Sequence, residues 1–248
     1  MHRTQTTAQS GPADSRLVQL LTHLDRKAAK APHEDFAERL GRLFDLSDAI
    51  TLDGANKHRP KGPFQASEDA AERLQADLLK TRATLLEHLS RSFAGEKAAS
   101  VISLPALRDD APADKRPTFG PYERFYQGHQ RQLIAGISNL RLRARRILAG
   151  HSESLARLAE LDAVFENSLA PYVRQCFGNL AGFLERRYRT LWEQRDPFHT
   201  PPDWLQPHGW LSQFQRELQM LLLAELDARQ EPVLGLLDAL NNEVSTTL

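Results

Sequence analysis

Between Phe119 and Gly150 the chain reads FGPYERFYQGHQRQLIAGISNLRLRARRILAG. Tyr122, Tyr126, His129, Leu133, Ile137, Leu140, Ala144 and Ile147 recur there at steps of three or four residues. Positions so spaced share one side of an α-helix, so the stretch predicts a single long amphipathic helix around which the rest must pack. Ile134 and Leu148 widen the stripe, which implies burial against more than one neighbour. No pattern of known chemistry lies on it.

The flanking sequence supplies partners for that helix. Residues 1–14 are polar and contain Gly and Pro, the composition of a disordered tail. Asp14 or Ser15 caps a first predicted helix bearing Leu17, Leu20, Leu21 and Leu24. Pro32 opens a second, with Glu34 and Asp35 at its positive end and Phe36, Leu40, Leu43 and Phe44 as its stripe. A short third piece, capped at Ser47, carries Ile50 and Leu52. The run KHRPKGPFQ reads as a loop. Ser67 then precedes a long helix with Leu74, Leu78, Leu85, Leu89 and Phe93, predicted to stop at Gly95.

Residues 15–95 thus form an N-terminal helical region. Residues 96–118, with Pro105, Pro112 and Pro117 among Ala, Asp and Lys, read as a linker or mobile loop in which 101–104 is an apolar piece able to dock. A long-helix bundle follows over 119–248. Ser152 caps a helix carrying Leu155, Leu158, Leu161 and Phe165, which Pro171 restarts or kinks. The next stripe is Val173, Cys176, Leu180, Leu184 and Leu191, which makes Cys176 a small buried hydrophobe. After the connector RDPFHTPPDWLQPHGW come a helix through Leu211, Phe214, Leu218, Leu221 and Leu222 and a last one starting near Pro232.

No run alternates β-branched with polar residues, and Leu, Ala, Arg, Glu and Gln dominate. The expected fold class is all-α, a multi-helix bundle of about seven to nine helices.

Formal net charge is zero, so no global field draws the protein to nucleic acid or to an anionic membrane. Cys176 is the only cysteine, which excludes an intramolecular disulfide and multi-cysteine metal sites. The opening MHRTQTTAQSGPADS has no apolar core, and the richest apolar run, 220–223, is too short to span a bilayer. A cytoplasmic protein without a transmembrane segment is expected.

The segment FAERLGRLFDLSDAITLDGAN, residues 36–56, resembles the start of an uncharacterised bacterial family filed as domain of unknown function 3348. The shared pattern is an apolar-periodic helix, then Leu46-Ser47-Asp48-Ala49-Ile50, then a small-residue loop. The resemblance implies no catalytic residue. It implies a cytoplasmic accessory of a bacterial assembly associated with membrane proteins.

Site chemistry is sparse. Carboxylate-bridged metal sites in helical bundles use Glu-x-x-His, which does not occur, nor does His-Glu-x-x-His. A nucleophile elbow and a phosphate-binding glycine loop are likewise missing, so no catalytic residue, metal or cofactor is assigned. An enzyme would need His129, Cys176 and an acid to converge.

Two arginine clusters stand out. In Arg141–Arg146, Arg141 and Arg145 share a face and can jointly grip a phosphate or carboxylate. Arg186, Arg187 and Arg189 form the second. If the clusters merge, nucleic acid is the alternative partner. If C-terminal acids such as Glu217 and Glu225 pair with them, inside the fold or on a second copy of the chain, they are structural. Trp192, Trp204 and Trp210 fall in one short region with Phe198, the residue types that dominate interface energies. They are read either as a protein-partner surface or as a connector stapled to the bundle by its rings. The function expected is that of a non-catalytic helical interaction module with a protein partner.

Overall fold

The computed structural model describes residues 15–24, 46–57, 59–94, 102–107 and 112–247. Among these are seven helices and no strand: α1 (Arg16–Leu24), α2 (Leu46–Lys57), α3 (Ala70–Phe93), α4 (Gly120–His151), α5 (Glu153–Glu193), α6 (Pro201–Trp204) and α7 (Trp210–Thr247). The protein is an all-α bundle. The polar tail, the helix expected from Pro32 to Phe44 and the stop at Gly95 lie outside the described residues.

The stretch from Phe119 to Gly150 is the centre of the molecule. As α4 it packs against α3, α5 and α7 at once, and α7 in turn carries α1 while α2 lies on α5. Its buried face includes Tyr122, Tyr126, His129, Leu133, Ile137, Leu140 and Ala144, the positions the periodicity marks. Leu148 is fully buried and Ile147 only partly so. One continuous apolar core runs from Ala70 on α3 to Leu240 on α7. Leucines 140, 218, 222 and 240 have no exposed surface, each contributing up to about 1.5–3 kcal/mol by burial.

Local chemistry sets the chain reversals. Ser152 is extended, at φ −150° and ψ 164°, and its Oγ accepts a hydrogen bond from the Leu155 amide at 3.2 Å. That cap turns α4 into α5 and leaves the hydroxyl to donate to Glu243 at 2.7 Å, tying the end of α7 to the same corner. At the other end, Asp203 Oδ2 accepts from the Thr200 amide at 2.8 Å and hydroxyl at 2.6 Å, closing the single turn of α6. Gly209 follows because a Cβ there would lie 2.2 Å from the Trp204 carbonyl oxygen.

The helix expected to begin near Pro232 is instead the second half of α7, and α5 runs unbroken through Pro171. A proline inside a helix removes one hydrogen bond and crowds the preceding turn, at about 3 kcal/mol. Packing on either side outweighs that loss: Val233 and Leu240 are fully buried beyond Pro232, and Leu184 is nearly so beyond Pro171. The proline-rich region before α4 also contacts the core. Ile102 lies against Gly128, where a Cβ would meet its Cδ1 at 3.0 Å, and the Leu104 amide donates to the Ser92 carbonyl at 3.2 Å.

Candidate functional site

The buried residues of α5 are Leu155, Ala156 and Ala159, and then none until Leu180. Over the same level α4 keeps Leu133, Ile137 and Leu140 buried, and α7 keeps Leu226 and Val233 buried. The middle of α5 therefore stands off from its two neighbours. The gap is a groove of about 520 Å³. Its lining is mainly apolar, with Ile137 at the floor and Ile134, Phe165, Val173, Phe177 and Pro232 around it.

Here the structure corrects the sequence reading. Ile134, expected to be buried by a second neighbour, is 42% exposed, and Val173, expected in a core stripe, is 41% exposed. Cys176, expected as a buried hydrophobe, is exposed. The physical reason is common to all three. Periodicity shows that a helix has an apolar side, but it does not show whether another helix reaches that side.

Ion pairs frame the groove. Arg141 makes two hydrogen bonds to Asp162, at 2.8 and 2.6 Å, and its third nitrogen lies 3.4 Å from Glu166. Arg145 donates to the same Asp162 at 2.6 Å and to Glu166 at 2.6 Å. The two arginines do grip carboxylates jointly, but those of α5, so they bind helix to helix. Deeper, the fully buried Glu225 accepts from the Tyr126 hydroxyl at 2.6 Å, from Gln130 at 3.1 Å and from Arg229 at 2.6 Å. Burial first, and the Glu225 charge next, push the Tyr126 hydroxyl far above its ordinary pKa, so it stays a donor. Arg229 also lies 3.8 Å over the Phe177 ring on the groove wall. Arg174 lines the same groove, is exposed, and has no ion-pair partner among the described residues.

The remaining candidate residues fall elsewhere. Arg187 donates twice to Glu217, both at 2.7 Å, with Gln213 adding a third bond at 2.9 Å, while Arg186 is exposed. Arg141 and Arg145 are thus tied to acids of α5, and Arg187 to an acid of α7. Trp192, Trp204 and Trp210 form a buried cluster with ring centroids 5.3–5.7 Å apart. Trp204 has no exposed surface. Of that region only Phe198, 91% exposed, presents a large apolar ring to solvent.

His129 lies between α3 and α4, with its Nε2 2.8 Å from Ser92 Oγ and its ring edge-on to Phe125 at 4.7 Å. Ser92 Oγ donates to the Leu89 carbonyl at 2.8 Å, so the imidazole is the donor in the shared bond. No carboxylate among the described residues bonds to His129, and Cys176 is on the exposed face of α5. Among the described residues no group of three His, Cys, Asp or Glu side chains is placed to hold a metal, and no helix is long and apolar enough to cross a membrane.

A family model described as protein of unknown function matches residues 3–242 of the chain. The chain belongs to the DUF3348 family. No curated protein and no solved structure matches it. The DUF3348 match spans α4, α5 and the groove-lining part of α7, so the groove lies wholly inside the region that the family model covers. Sequence reasoning missed Ile134, Val173, Arg174 and Phe177 as site residues. The signal available was a surplus of apolar positions beside Pro171, where the helix continues without burying any of its side chains.

Proposed function

We propose that this DUF3348 protein is a non-catalytic interaction module, an accessory in a bacterial multi-protein assembly, that receives an amphipathic helix of a partner protein in the groove between α4, α5 and α7. One observation carries the reading: large apolar side chains left partly exposed by the bundle, Ile134 and Val173 among them, meet in one groove. Exposed apolar surface gathered at a single place marks an interaction site, whereas scattered exposed residues do not. A groove walled by helices takes a helix that offers apolar anchors every three or four residues. The pairing of Arg141, Arg145 and Arg187 with internal acids weighs against a nucleic-acid surface made from the two basic clusters.

The test uses the full chain and its Val173→Glu variant as matched baits in an extract of the source organism. Val173 is exposed on α5, so the variant should unfold within about 1 kcal/mol of the parent. Polypeptides retained by the parent and lost by the variant support the groove as the site. Identical captured sets contradict it.

A further inference from the structure

The charges at the groove do not cancel. Arg141, Arg174, Arg229 and Glu166 line it. Arg141 and Arg145 are balanced by Asp162 and Glu166, and Arg229 by Glu225. That leaves Arg174, on the α5 wall beside the exposed Val173 and one turn before Phe177, as the lining cation with no ion-pair partner among the described residues. From Phe165 to Gly178 that wall is roughly 20 Å long at about 1.5 Å per residue, enough for three to four turns of a bound helix.

Resting on the groove reading above, we infer that the occupant is a partner protein's acidic amphipathic helix, its apolar stripe on Ile134, Val173 and Phe177 and a flanking carboxylate on Arg174. The apolar contacts would supply most of the affinity. A guanidinium at the edge of such a site sets which flank is accepted, because a carboxylate gains a charge-assisted hydrogen bond there and a cation is repelled. An acidic flank also matches a groove whose other arginines, Arg141 and Arg229, already have internal partners, Arg174 alone having none among the described residues.

Two synthetic helical peptides of about four turns with the same leucine and phenylalanine stripe, one flanked by glutamates and one by lysines, provide the probe. Their binding to the full chain is read by fluorescence anisotropy. The glutamate peptide should bind at least about tenfold more tightly, with the margin shrinking as salt is raised. Arg174→Glu should abolish or reverse that margin, and Arg174→Gln should reduce it; Arg174 is exposed, and circular dichroism checks that each variant stays folded. Equal binding of the two peptides would overturn the acidic assignment while leaving the groove reading intact. Binding of neither would overturn both. Displacement of the glutamate peptide by a peptide of this chain's own residues 33–45 would also overturn the assignment, by making the chain itself the occupant.

Discussion

Ser92 Oγ and His129 Nε2 meet 2.8 Å apart in the interior between α3 and α4, with both residues at most 2% exposed. Burial, with a smaller contribution from His88, lowers the His129 pKa from 6.5 to about 4. The neutral ring is therefore the native form. The unfolded chain takes up a proton near pH 6.5 and the folded chain only near 4, so stability is complete above about 6.5 and falls as pH drops towards 4. The gap corresponds to a loss of about 3 kcal/mol by pH 4. Denaturant unfolding at pH 7 and pH 4.5 should show most of that loss, and His129→Gln should remove the His129 part of the slope. A slope unchanged in the variant would contradict the assignment.

Arg187 and Glu217 form a two-bond pair between α5 and α7, with the Glu217 side chain only 6% exposed. Arg187→Met should destabilise the protein by about 3–5 kcal/mol, because it strands a buried carboxylate. The double variant Arg187→Met with Glu217→Leu should recover most of the loss. Equilibrium unfolding of the three chains checks this, and a double variant no more stable than Arg187→Met alone would contradict it.

Trp204 has no exposed surface and packs edge-on against Trp192 at 5.3 Å. Trp204→Ala should lower stability by about 3–5 kcal/mol through lost burial and a cavity, measured by thermal or urea unfolding. Phe198→Ala, at 91% exposure, should change it by less than about 0.5 kcal/mol. A Trp204→Ala chain as stable as the parent would show that the ring is no part of the core.

These contacts differ in how far the sequence disclosed them. The buried face of α4 was legible because each of its positions meets a neighbour, so the period of the helix and the pattern of burial coincide. The Ser152 cap was legible because it depends on residues only three apart. The partner of Arg141 was not, since Asp162 lies 21 residues away and only the packing of whole helices brings it near. Glu217 was legible as one of the acids offered to the arginines, but not that it is Arg187, 30 residues away, that it meets. The groove was hidden for a related reason. Ile134 and Val173 look like core residues in one dimension, and only the distance of α5 from α4 and α7 leaves them open.

The protein has five isoleucines, Ile50, Ile102, Ile134, Ile137 and Ile147, of which Ile134 and Ile137 line the groove. Isoleucine-methyl NMR of the full chain, titrated with the glutamate-flanked peptide, tests the groove as the binding site most directly. The Ile134 and Ile137 signals should shift together and saturate, while those of Ile50, Ile102 and Ile147 stay in place. Saturable shifts at Ile102 or Ile147 with Ile134 and Ile137 unmoved would contradict the account.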